Sequence, residues 1–229
     1  MIKGQVIITG ASGGLGNGLI SELRQRGNNN IIGLYNKKKP TVNGVDLIQC
    51  DLAKDEIPDE LLNKVSDNVN IIHLAGVSIS SAFKKINMED IKKQYELNTI
   101  GGLKLIHSLW PKMKEAQYGR FIFISSVVAH LSVFGTIGYA MSKVALETAA
   151  KGLLAEGAKD NILPFCIALG YTDKGMISQV PDDIQEIMKK QIPLKRFGTA
   201  EELANTIEFL INTPYMAGQT VHLNGGLYL

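Results

Sequence analysis

Tyr139 and Lys143 stand four residues apart in a segment whose spacing reads as a helix, so both side chains leave it on one face. A phenol with an ammonium one turn away can pass a proton to or from a reacting oxygen. Ser126 lies 13 residues before Tyr139, at the end of an apolar run that reads as a strand. Its hydroxyl can hold that same oxygen. The Tyr–Lys spacing alone is weak. Tyr35 and Lys39 repeat it with Glu22 in the serine's place, but that pair follows a strand instead of lying in a helix.

A second constellation opens the chain. Thr9, Gly10, Ala11, Ser12, Gly13, Gly14, Leu15 and Gly16 follow the first apolar strand and begin the first helical pattern. Glycines at 10, 14 and 16 permit a tight turn and a close backbone approach, and the helix N-terminus offers free N–H groups to a pyrophosphate. Gly10 to Gly14 also matches the G-x-S-x-G turn of hydrolases. That turn normally follows several earlier strands, whereas here it sits on the first. The late histidine, His222, falls inside the last apolar strand. The hydrolase reading is therefore set aside.

An NAD site would place a carboxylate about 20 residues past the glycines, on the ribose hydroxyls. The second strand ends instead on Tyr35 and Asn36, followed by Lys37, Lys38 and Lys39. Ammonium groups there suit a 2′-phosphate, which favours NADPH/NADP+ with NADH as the alternative. Asp51, past the third strand, can accept from an adenine amino group or cap a turn.

These residues need a frame. Strand-length runs at Gln5–Thr9, Ile31–Tyr35, Val45–Cys50, Val69–Ala75, Arg120–Ser125, Leu163–Leu169 and Thr220–Leu223 alternate with helical patterns at Leu15–Arg26, Pro58–Lys64, Met88–Lys114, Gly138–Gly157 and Ala200–Ile211. That order predicts an α/β fold, a doubly wound Rossmann-type parallel sheet of about seven strands with helices on both faces. Between the second and third strands, Asn36 to Val45 is too short for a crossover helix, so a loop is expected there. No linker or repeat divides the 229 residues, so they read as one domain, 1–229.

Composition narrows the classes. Lys and Arg number 24 against 22 Asp and Glu, a balance that argues against nucleic acid as a partner. No apolar run is long enough to span a bilayer, and the N-terminus reads as a strand instead of a signal peptide. Cys50 and Cys166 lie in separate apolar runs and read as buried thiols of a cytoplasmic protein.

With these motifs assembled, the sequence resembles the short-chain dehydrogenases/reductases, most closely their 3-oxoacyl-[acyl carrier protein] reductase branch. The likeness runs through Thr9–Gly16, Asp51-Leu52, Leu74-Ala75-Gly76, Asn98, Ser126, Tyr139 and Lys143, then Ile192–Gly198 and Gly218–Gly226. The resemblance implies hydride transfer between a nicotinamide and a carbonyl carbon of a small molecule. Tyr139 would act as general acid, Ser126 would position the oxygen, and Asn98 would hold a water linking Lys143 to solvent. Lys143 would bind the nicotinamide ribose and, with the oxidised nicotinamide, lower the pKa of Tyr139. Ala75 and Gly76 would border the cofactor, Gly76 leaving room for its adenosine side. An NAD-linked dehydrogenase of a small alcohol, sugar or polyol is the alternative. A non-catalytic nucleotide sensor is argued against by the intact Ser–Tyr–Lys set.

The chain departs from the family pattern in places. Its Asn-Asn-Ala-Gly becomes His73-Leu74-Ala75-Gly76, so His73 is assigned no role. Pro-Gly after the sixth strand is Leu169-Gly170, with Thr172 near the carboxamide position and Lys174 replacing a Thr. The segment from Tyr171 to Pro193, with a short amphipathic helix, reads as a lid over the substrate. The family's tetramers suggest a homotetramer or homodimer through Met88–Lys114, Gly138–Gly157 and the apolar C-terminus. Acyl carrier protein as a partner would need basic residues near the site mouth. The two positions where relatives carry arginine hold Gln117 and Asp160, which argues against it.

Overall fold

The computed structural model describes residues 1–54 and 56–229. Seven strands form one all-parallel sheet: β1 Gln5–Thr9, β2 Ile31–Tyr35, β3 Asp46–Gln49, β4 Val69–His73, β5 Gly119–Ser126, β6 Ile162–Leu169 and β7 Thr220–Leu223. Their order is β3-β2-β1-β4-β5-β6-β7. The order reverses between β1 and β4, which opens a crevice beyond their carboxyl ends, where open α/β sheets bind ligands.

The strands are apolar at consecutive positions because both faces are covered. Val6 and Ile8 of β1 join Ile122, Ile124, Phe165 and Ile167 against α1 (Gly14–Gln25) and α7 (Ala200–Asn212). Ile7, pointing the other way, joins Phe121, Phe123 and Cys166 against α4 (Gly101–Ala116) and α5 (Ile137–Gly157). Side chains such as Leu19, Leu23, Leu105 and Leu146 are fully buried in these layers, and each contributes roughly 1.5–3 kcal/mol. Among the described residues, no helix is long and apolar enough to cross a membrane.

The remaining helices are α2 (Asp59–Lys64), α3 (Met88–Tyr95) and α6 (Asp182–Gln191). The loop expected between β2 and β3 is present, with no helix over residues 36–45. Two elements depart from their expected bounds by more than one residue. The run Val69–Ala75 stops pairing at His73 because the next two amides, of Leu74 and Ala75, donate to the Thr9 side chain instead of a ladder partner. The helix expected over Met88–Lys114 breaks into α3 and α4 around a π-helical turn, Glu96–Ile100. Asn98 lies in that turn.

Candidate active site

The dinucleotide loop takes its shape from two glycines. Gly10 has φ +72°, and a β-carbon there would approach the Ala75 backbone to 2.9 Å. A β-carbon on Gly16 would lie 2.3 Å from the Gly10 carbonyl. Turn and helix can therefore close on each other only without side chains. The Ala11 amide donates to Leu34 O at 3.0 Å, fastening the loop to β2. Gly13 caps α1 without a side-chain bond, and no acidic residue occupies the helix's first turn. Gly13 and Gly14 are exposed, with Ser12 and Leu15 half-buried beside them. This cradle of backbone donors at a positive helix end fits a dinucleotide pyrophosphate.

Around the cradle, Tyr35 is half-buried while Asn36 and Lys37 to Lys39 are exposed. Asp51 accepts from the Ala53 amide at 3.1 Å, the turn-capping role. Leu52 and Ala75 are buried together beside Cys50. The Gly170 amide donates to Leu223 O at 2.8 Å. Thr172 bridges to Gly198, and its hydroxyl donates to Lys174 O at 2.9 Å.

Ser126, Tyr139 and Lys143 converge at the carboxyl end of β5. Ser126 ends the strand, and its Oγ accepts from the Val128 amide at 3.2 Å. Tyr139, in the first turn of α5, is 7% exposed and lies beside Ser126. Lys143, one turn on, is buried and donates from Nζ to Ile124 O at 2.8 Å. Burial lowers its pKa to about 8.

In the chain without cofactor, burial dominates the protonation of Tyr139. Burial pushes the phenol up to about 12, and the neighbouring Ser126 hydroxyl offsets only part of that rise. The ammonium donates to the Ile124 carbonyl and lies over the phenol ring, 5.7 Å from its centroid. The phenol is thus in its proton-donating form at neutral pH.

Asn98 forms a wall of this site. Its Nδ2 donates to Val77 O and Ser142 Oγ, both at 2.9 Å, and its Oδ1 accepts from the Val77 amide at 2.7 Å. One Oδ1 lone pair remains. A β-carbon on Gly76 would lie 3.2 Å from both Asn98 Oδ1 and Lys143 Nζ. The room Gly76 leaves therefore borders the lysine pocket.

Sequence reasoning passed over three supporting side chains. Ser125 Oγ donates to Glu147 Oε1 at 2.6 Å, and His130 Nε2 lies 2.9 Å from the same oxygen. Glu147 stands one helical turn after Lys143, a spacing that would have flagged it. His73 was visible as a departure from the motif, but its contacts were not.

The comparisons with known proteins agree with this geometry. The family described as "Enoyl-(Acyl carrier protein) reductase" matches residues 10–228. The chain belongs to the short-chain dehydrogenase/reductase family. This short-chain dehydrogenase/reductase is 27% identical to the 3-oxoacyl-[acyl-carrier-protein] reductase FabG of Aquifex aeolicus, over 99% of this chain and 98% of the relative. It is 30% identical to the FabG of Rickettsia typhi, over 97% and 96%. A solved short chain dehydrogenase family protein from Francisella tularensis superposes with a TM-score of 0.85 at 23% identity, covering 98% of each chain. The protein is an NAD(P)-dependent oxidoreductase similar to the FabG ketoreductases.

Gln117 and Asp160 lie side by side, 3.5 Å apart, just before β5 and β6. The eight residues of β5, at ~3.3 Å each, separate them from Ser126 by roughly 25 Å. They are not at the mouth of this chain's own site.

Proposed function

We propose that the chain reduces the carbonyl of a small molecule, 3-oxoacyl or a similar ketone, with NADPH as the preferred cofactor. The observation that carries this reading is the convergence of the buried Tyr139 phenol with Ser126 at the strand end, the Lys143 ammonium lying over the phenol ring. The nicotinamide, when bound, supplies the hydride. Ser126 holds the carbonyl oxygen, and Tyr139 delivers its proton to that oxygen as negative charge develops there. Lys143 holds the cofactor's ribose and its charge stabilises the phenolate left behind. Asn98 and Gly76 line the space through which that proton is replaced.

The preference for NADPH is supported by the absence of a carboxylate at Tyr35–Asn36 and by the exposed Lys37–Lys39. Lid residues Met176, Ile184 and Ile187 expose apolar side chains, which suits a substrate with hydrocarbon character. The test is a panel of 3-oxoacyl thioesters, other ketones and sugar-derived carbonyls, each run with NADPH and NADH. Fast reduction of 3-oxo compounds with NADPH supports the reading. Turnover confined to NAD-linked oxidation of a polyol overturns it.

A further inference from the structure

His73 ends β4 with its ring 1% exposed. Its Nδ1 lies 3.0 Å from Thr9 Oγ1, and its Nε2 lies 3.0 Å from the Asn98 main-chain oxygen. A carbonyl can only accept, so Nε2 carries the proton and Nδ1 is a bare acceptor. Thr9 Oγ1 already accepts from the amides of Leu74 and Ala75, at 3.1 and 2.9 Å, so its own proton goes to Nδ1. The set admits one tautomer and leaves no group unmatched. The backbone makes room for it: a β-carbon on Gly102 would lie 2.6 Å from His73 Cδ2. Phe123 meets the ring edge-on at 6.5 Å.

We propose that His73 is a positioning residue of this reductase. As a neutral, Nε2-protonated imidazole it fixes the Asn98 carbonyl, and the π-helical turn around it, to the Thr9 end of the dinucleotide loop. This rests on the reading of Tyr139 and Lys143 given above. The contacts run without a gap from Thr9 through His73 to the Asn98 backbone. From there the Asn98 side chain reaches Val77, Ser142 and the space it shares with Lys143 Nζ. A histidine that merely filled the core would need the volume alone. This ring uses both nitrogens, each in a fixed sense, between two loops of the site. It acts through Asn98.

The experiment has two arms. In the first, ring ¹⁵N shifts of His73 are recorded on the cofactor-free protein between pH ~5.5 and ~8, the range in which an ordinary imidazole titrates. The expected result is an unchanging Nε2–H tautomer. An Nδ1–H tautomer, or titration near the ordinary histidine value, overturns the proposal. In the second, His73→Phe keeps the bulk and loses both bonds, while His73→Asn restores one donor and one acceptor. His73→Phe is expected to lower kcat at least ~10-fold with the carbonyl KM within ~3-fold, the signature of a misplaced catalytic group. His73→Asn is expected to recover kcat to within ~3-fold of the native value. Native kcat in His73→Phe, or equal losses in both variants, overturns the proposal. If His73→Phe does not fold, the ¹⁵N result and the His73→Asn rates decide: an inactive, folded His73→Asn then counts against it. Tyr139→Phe is the control that keeps the two readings apart, since its turnover tests the parent mechanism alone.

Discussion

The Lys143 ammonium donates to the Ile124 main-chain oxygen at 2.8 Å, while its nitrogen stays 5.7 Å from the Tyr139 ring centroid. The strand that delivers Ser126 thus also anchors the lysine. In the protein without cofactor, the lysine charge is held by the sheet and lies over the phenol ring. Tyr139 is left protonated and Lys143 less basic than usual, the states needed to give up a proton at neutral pH.

Tyr139→Phe removes the proton donor without opening a cavity. Turnover in carbonyl reduction is expected to fall at least ~10²-fold, the low end for a lost general acid. Cofactor affinity, measured by fluorescence titration, is expected to stay within ~3-fold. Near-normal turnover would remove Tyr139 from the mechanism.

Cofactor affinity should depend on pH through Lys143. Its folded pKa is lowered from 10.5 to about 8 by burial, so the positive charge is lost as pH rises through about 8. The dissociation constant measured from pH ~6.5 to ~9.5 is expected to climb above that point. Lys143→Met should bind weakly and with no such inflection. A native curve that stays flat to pH ~10 contradicts the assignment.

Acid should destabilise the fold through His73. Burial and the Lys143 charge lower its pKa from 6.5 to about 4. The unfolded chain takes up a proton near 6.5 and the folded chain only near 4. Stability held above pH 6.5 is therefore lost as pH falls toward 4, by roughly 3 kcal/mol for this group. Urea titrations of native protein and His73→Asn between those pH values should diverge by that order, the variant showing the shallower pH dependence. Parallel curves would mean that the ring titrates normally.

Cofactor choice is expected to rest on exposed charge and so to be modest. NADPH should bind about 5-fold more tightly than NADH, on the order of 1 kcal/mol, the upper range for solvent-exposed ion pairs. Added salt and a Lys37→Ala, Lys38→Ala, Lys39→Ala triple variant should both shrink that ratio toward unity. Tighter binding of NADH to the native protein would reverse the assignment.

Assembly is expected through α5. Ile137, Met141 and Val144 lie at helical spacing and each is more than 40% exposed, beside Phe134 at 86%. Such a stripe on a helix face asks for a partner surface. Light scattering should give a multiple of 24.9 kDa, and Val144→Glu should lower it. A monomer at micromolar concentration would leave the stripe unexplained.

The sequence by itself determined the layered α/β frame and the chemical types in the site. Continuous apolar runs such as Val6-Ile7-Ile8 require cover on both faces of a sheet. Gly10 and Gly16 mark a turn that only glycine can make. Ser126, Tyr139 and Lys143 are placed by one strand end and one helix face, which local periodicity reveals. Tertiary structure decided the rest, because it depends on partners distant in the chain. The break at Asn98 follows from bonds to Val77 and Ser142, 21 and 44 residues away. The early end of β4 follows from Thr9 taking the next two amides, 65 and 66 residues on. The pKa shifts of Tyr139 and Lys143 follow chiefly from burial, which a spacing does not record. His73 is the sharpest case. Its residue type marked only a departure from a motif, and its role emerged where β1, β4 and the π-helical turn meet around one ring.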